Sequence, residues 1–157
     1  MINVQKTTVI QDMETTQQQS KQDEQQKGEQ QTVGQLEREV SQKVQALYKK
    51  HLGHQPSKVS CQIFDSKLAI VLEDSVTQPE QLLVEEGQTE LAEQVRSDLN
   101  LAMRPQIKEL VEQILGVEAL DILSDATLKT GRTGIIVILS KTPAVRNPDA
   151  IPKVKKG

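Results

Sequence analysis

Aromatic side chains are almost missing from this sequence: Tyr48 and Phe64 are the only two in 157 residues, and there is no tryptophan. Single-stranded nucleic acids are held largely by stacking bases on aromatic platforms, so that mode of binding has little to work with here. Cysteine is as scarce. Cys61 stands alone, which excludes an internal disulfide, and no charged-then-apolar leader opens the chain, so a reducing cytoplasm is the expected compartment. Apolar runs are short, well below the roughly 18 residues that a membrane-spanning helix needs, and direct membrane insertion is not expected. Charge of one sign is not in excess: a net charge of −3 and a pI near 5.5 argue against general attraction to nucleic acid or anionic lipid. Histidine is limited to His51 and His54. That spacing can hold a metal from one helix face, but a zinc site takes a third protein ligand, and histidines at a helix end more commonly meet its terminal carbonyls. No metal and no cofactor is expected.

What is present falls into three parts. Residues 1–32 are dominated by Gln, Thr, Glu and Lys, with hardly an apolar side chain after Met13. Such a segment buries too little to offset chain entropy, which predicts a disordered Gln-rich arm. Residues 33–141 read as one α+β domain, and residues 142–157, broken by Pro143, Pro148 and Pro152 and ending in lysines, read as a mobile tail. Within the domain, Leu36, Val40, Val44 and Leu47 make one face of a helix that Gly53 closes. Val59, Cys61 and Ile63 alternate with polar residues, and Lys67 to Glu73 follows after a short turn, which predicts a hairpin. Thr77, Pro79 and Glu80 form a helix start: a capping hydroxyl, a first-turn proline and a carboxylate three residues past the cap. Leu91, Val95, Leu99, Met103, Ile107, Leu110 and Ile114 then carry an apolar stripe through Pro105, where a kink is expected.

The two halves resemble each other. Leu52-Gly53 and Leu115-Gly116 each end an amphipathic helix, and each is followed by a strand, a turn and a strongly apolar strand, Leu68 to Leu72 and Ile135 to Leu139. A repeat of this kind predicts duplicated α-β-β units and a four-stranded, mainly antiparallel sheet, packed by a long kinked helix and an N-terminal helix. The β-branched run Ile135 to Leu139 reads as a central strand buried on both faces. Met103, Ile107 and Val111 exceed what one small sheet needs, so a homodimer through that helix is expected.

Residues with chemical potential have plain alternatives. Cys61 reads as a core thiol rather than a nucleophile. Glu118, Asp121 and Asp125 could form an acid–base pair or hold a hard cation, although solvated edge carboxylates explain them more simply. The turn Gly131-Arg132-Thr133-Gly134, with Lys129 beside it, invites comparison with phosphate-clamping loops, but it joins two strands and carries no Walker spacing. No catalytic residue is expected.

The order of motifs resembles the MpsC-like family, named for a Na+-translocating, membrane-potential-generating system and long catalogued as a domain of unknown function. The resemblance rests on Gly53 and Pro56, on Val76-Thr77 with Glu80, Leu82-Leu83 and Gly87, on Arg96, on Gly116-Val117 and on Leu123-Ser124-Asp125, and covers roughly residues 34–141. Where the family tends to a basic residue after the first glycine this chain has His54, and where it tends to paired arginines it has Val95-Arg96. The resemblance implies a non-catalytic accessory or regulatory subunit beside an integral-membrane transport protein that moves ions or bicarbonate. Its place would then be cytoplasmic, at the inner face of the plasma membrane through that partner. The alternative is a small-molecule sensor or low-turnover enzyme using a cleft between the two halves. Candidate ligand or partner contacts are His54, Thr77, Glu80, Arg96, Arg104, Asp125 and Arg132.

Overall fold

The structure, a computed structural model, describes residues 11–21 and 30–155, and the chain divides into two compact units, Met1–Gln31 and Thr32–Gly157. In the first unit, residues 11–21 are helical (α1). This corrects the expectation of disorder for those residues; the rest of that expectation, on residues 1–10 and 22–29, lies outside the described residues. Gln, Glu, Lys and Met are good helix formers, so a helix can form without a core to bury against. Every side chain of α1 is exposed, and Thr15, Thr16 and Ser20 donate to carbonyls four residues back at 2.8, 2.8 and 2.9 Å.

The second unit runs α2 (Val33–Leu52), β1 (Lys58–Phe64), β2 (Lys67–Glu73), α3 (Gln78–Glu85), α4 (Thr89–Leu115), β3 (Ala119–Thr127) and β4 (Arg132–Leu139), then a single 3₁₀ turn at Pro148–Ala150. A reciprocal cap starts α2: Gln35 N–H donates to Thr32 Oγ1 at 3.2 Å, and Thr32 N–H donates to Gln35 Oε1 at 2.9 Å. Gly53 and Gly116 end α2 and α4 at φ 68° and 66°, the left-handed conformation that costs residues with a Cβ but not glycine. The chain breaks between α3 and α4 at Gly87, while α4 continues through Pro105 without interruption.

The sheet is four-stranded and antiparallel in the order β1-β2-β4-β3, so the two hairpins lie side by side and the two apolar strands are central. Helices α2 and α4 pack against each other, α2 against β1 and α4 against β3, all on one face of the sheet. Rows across that face are Ile63, Leu68, Val137 and Ile122, then Cys61, Ile70, Ile135 and Ser124. The outer face carries Phe64, Ala69, Val71, Ile136, Ile138 and Leu123, with Val71 43 % and Leu123 53 % exposed. The expectation that Ile135 to Leu139 is buried on both faces is therefore corrected. Ile136 and Ile138 point away from the helices and are only half-buried, because this strand lies in a two-layer domain rather than between two helix layers.

Three further expectations change. Met103, Ile107 and Val111 are buried in the chain's own core, so α4 has no surplus apolar face there for a second copy. In the first half of α4 the inward residues are Ala92, Arg96 and Asn100, while Leu91 faces outward and Val95 and Leu99 are half-buried. Finally, the segment after β4 is not a loose tail: Val145 and Ile151 join the hydrophobic core, Asn147 Oδ1 accepts from Val33 N–H at 2.9 Å, and Pro152 O accepts from Asp65 N–H at 2.7 Å. The prolines rule out a fifth ladder strand but not burial of the apolar residues between them.

Both sheet edges are guarded. On β1, the Glu37 carboxylate accepts from Ile63 N–H at 3.0 Å. On β3, Asp121 Oδ1 accepts from Ile122 N–H at 2.9 Å and Asp125 Oδ1 from Ala126 N–H at 2.8 Å. An edge amide already bonded to a carboxylate is a poor template for another strand, and the charge repels further pairing.

Candidate functional site

The first turn of α3 follows its sequence signature but in an unexpected setting. Thr77 N–H and Thr77 Oγ1 donate to Glu80 Oε2 at 2.9 and 2.6 Å. Capping carboxylates are ordinarily solvated; Glu80 is 0 % exposed. Arg96, one helix later, meets it with both prongs: Nε donates to Oε1 at 2.6 Å and Nη2 to Oε2 at 2.5 Å, while Nη2 also reaches Ser75 O at 2.9 Å. The pair joins α3, α4 and the chain entering α3. A buried carboxylate and guanidinium are costly to desolvate, and paired geometry of this kind is what makes their burial tolerable. The positive charge is also felt by Tyr48: burial pushes its hydroxyl pKa up, and Arg96 pulls it part of the way back.

One atom of this arrangement is left over. Arg96 Nη1 is buried and makes no hydrogen bond, the sole such side-chain atom among the described residues. Asn100, one turn further along α4 and 7 % exposed, makes no side-chain hydrogen bond to any described residue. Both residues line a groove of about 670 Å³ between α4 and the end of β3, with Val84 of α3, Leu101, Arg104, Ser124, Asp125, Leu128 and Lys129 among its other walls. Arg104 Nε donates to Ser124 Oγ across the groove at 3.2 Å.

The structure thus brings Arg96, Arg104 and Asp125 together and leaves the other candidates outside. Thr77 and Glu80 lie behind Arg96 as its support. His54 Nε2–H donates to Asp74 O at 2.7 Å, tying the loop after α2 to the end of β2. Arg132 Nε donates to Glu73 Oε2 at 2.7 Å on the surface. The groove is not a cleft between the two α-β-β halves, as expected, because its walls come from α3, α4 and β3. Asn100 and Ser124 were not anticipated as contacts, and Lys129 was considered only as a charge beside the glycine turn. The signal for Asn100 was its spacing, three residues before the buried Met103 on the same helix face.

The remaining reactive groups have structural work. Cys61 Sγ–H donates to Glu37 O at 2.8 Å and Sγ accepts from Ser41 Oγ at 3.2 Å, while burial pushes the thiol pKa up. Gly131 O accepts from Ser75 N–H and Ser75 Oγ at 2.8 and 2.9 Å, so the glycine turn is fastened to the chain before α3.

The family model for Na+-translocating membrane potential-generating system (MpsC) matches residues 32–141. The chain belongs to this family. The matched MpsC segment begins at the Thr32 cap of α2 and ends just after β4, and contains every wall of the groove. It stops short of Val145 and Ile151, which complete the core of this chain. No curated protein and no solved structure matches the chain. Among the described residues, no helix is long and apolar enough to cross a membrane.

Proposed function

We propose that this MpsC-family protein is a non-catalytic accessory or regulatory subunit of a membrane system that moves ions or inorganic carbon, held at the cytoplasmic face by an integral-membrane partner. The observation that carries the membrane setting is the family match over residues 32–141, and guarded sheet edges with an open sheet face carry the association. Edge carboxylates direct association away from strand addition. On the outer face Ala69, Ile136 and Leu123 form one apolar row with Val71 and Ile138 diagonal to it and polar residues around, an arrangement that supports an interface. Family membership supports the setting, since the family is described by a Na+-translocating membrane-potential system.

A second copy of the chain is the occupant we assign to that face, which moves the homodimer contact from α4 to the sheet. A face that meets its own copy about a twofold axis is self-complementary, the commonest arrangement in soluble oligomers. The membrane subunit then meets the exposed leucines at the α3–α4 corner, Leu82 and Leu91. Two measurements test these contacts. Sedimentation of the full chain should give a dimer that Val71→Glu converts to monomer; a wild-type monomer removes the homodimer. Affinity purification from solubilised membranes should recover a multi-spanning ion or bicarbonate transport protein, lost with Leu82→Glu and Leu91→Glu together. Recovery of no such protein sinks the accessory role.

A further inference from the structure

We propose that the groove between α4 and the end of β3 binds a small organic carboxylate with a short apolar tail, its carboxylate accepting hydrogen bonds from Asn100 and Arg96. A buried donor without an acceptor carries its full desolvation cost, and one turn along the same helix Asn100 has no side-chain hydrogen bond to any described residue. Both stand on one helix face. Helical side chains lean toward the N-terminus, so Asn100 leans over the turn that bears Arg96, and both residues line the groove. No hydrogen bond holds the Asn100 amide in place. Its rotation admits an acceptor to Nη1 while its own Nδ2–H₂ donates to the same group, and two donors side by side match the two oxygens of a carboxylate.

Charge in the groove is balanced, with Arg104 and Lys129 against Glu93 and Asp125, so directed hydrogen bonds rather than net charge select the ligand. Arg104 and Lys129 make no ion pair among the described residues. Of the acids, Asp125 accepts from the Ala126 amide at the far wall, and Glu93 lies one turn before Arg96 on α4. Arg96 itself is balanced by Glu80, so it supplies directed hydrogen bonds rather than net charge. The rest of the lining selects the other end of the ligand. Val84, Leu101 and Leu128 give an apolar wall, and a volume of about 670 Å³ suits a small organic molecule better than a bare inorganic ion.

The inference is independent of the membrane partner, because it is measured on the purified full chain without membranes. Heteronuclear NMR would follow the Arg96 Nε–H and Asn100 Nδ2–H₂ signals during titration with hexanoate, acetate, hexanol and inorganic phosphate. Hexanoate is expected to shift both signals saturably, and acetate to do so with lower affinity. Asn100→Leu should weaken hexanoate binding about tenfold, the loss of one hydrogen bond to a charged group. Leu101→Asp, at a position 54 % exposed and therefore harmless to the fold, should abolish it by placing an acid in the apolar wall. Absence of a saturable shift with hexanoate overturns the proposal. Equal affinity for hexanol, displacement of hexanoate by phosphate, or binding unaltered in Leu101→Asp overturns it as well.

Discussion

Arg96 holds both carboxylate oxygens of Glu80, at 2.6 and 2.5 Å, where the two side chains are 3 % and 0 % exposed. Burial shields the pair from solvent, and its Thr77 and Ser75 bonds fasten two helices to the chain leaving β2. Removing one partner should therefore cost far more than a surface ion pair. Arg96→Met and Glu80→Leu are each expected to lose about 3–5 kcal/mol in urea unfolding, while the double variant should lose less than the sum, since no unpaired charge is then buried. Additive losses would show that the two residues act separately.

Ends of the chain differ in what they contribute. Deleting residues 1–29 should leave the unfolding midpoint nearly unchanged, because the described residues of that segment bury nothing. Ile151→Ala, at a site 2 % exposed, should cost about 2–5 kcal/mol by leaving a cavity in the core. A reversed order of effects in calorimetry would refute both expectations.

Edge protection also has a measurable form. Replacing Asp121 and Asp125 together by threonine frees the Ile122 and Ala126 amides and favours strand conformation at both positions. The double variant is expected to form larger particles than wild type on warming, followed by light scattering. Single surface substitutions elsewhere on β3 should not.

Gly134 lies in the middle of β4 on the outer face, with nothing within 4 Å of where a Cβ would be. Gly134→Val should raise stability by about 0.5–1 kcal/mol, the ordinary penalty for glycine in a strand interior. Chemical denaturation of the two proteins at equal concentration decides this.

Cys61 gives the pH prediction. Burial lifts its thiol pKa, and the Ser41 hydroxyl, donating to sulfur, lowers it part of the way. With the folded value above the unfolded one, the thiol's contribution to stability is present below the unfolded-chain pKa and is lost as pH rises through the folded value. Under mildly alkaline conditions iodoacetamide should modify the native protein more slowly than the urea-unfolded chain, and Ser41→Ala should slow it further. Faster reaction of the native thiol would contradict the assignment.

Much of the fold was legible because it follows from local pattern. The two glycine caps, the hairpins and the central place of the apolar strands all rest on spacing and composition, and the repeat made each half a check on the other. The first half of α4 was misread because a leucine stripe looked like the buried face. Reading backward from Met103 by three and then four reaches Asn100, Arg96 and Ala92, but polar side chains there signal solvent unless a partner is known. That partner is Glu80, 16 residues away on another helix, and a capping motif says nothing about what covers it. The groove was half visible, through Arg96, Arg104 and Asp125. Asn100 and Lys129 enter it through tertiary packing, which no period encodes.

Asn147 clasps the first amide of α2 at 2.9 Å, so the points where the folded unit begins and ends are neighbours in space. A domain with adjacent ends tolerates circular permutation. Joining residue 153 to residue 32 through a short glycine–serine linker and reopening the chain at the exposed turn between Leu128 and Gly131 should give a folded permutant. Its new termini would flank the groove, placing a reporter fused there next to whatever enters it.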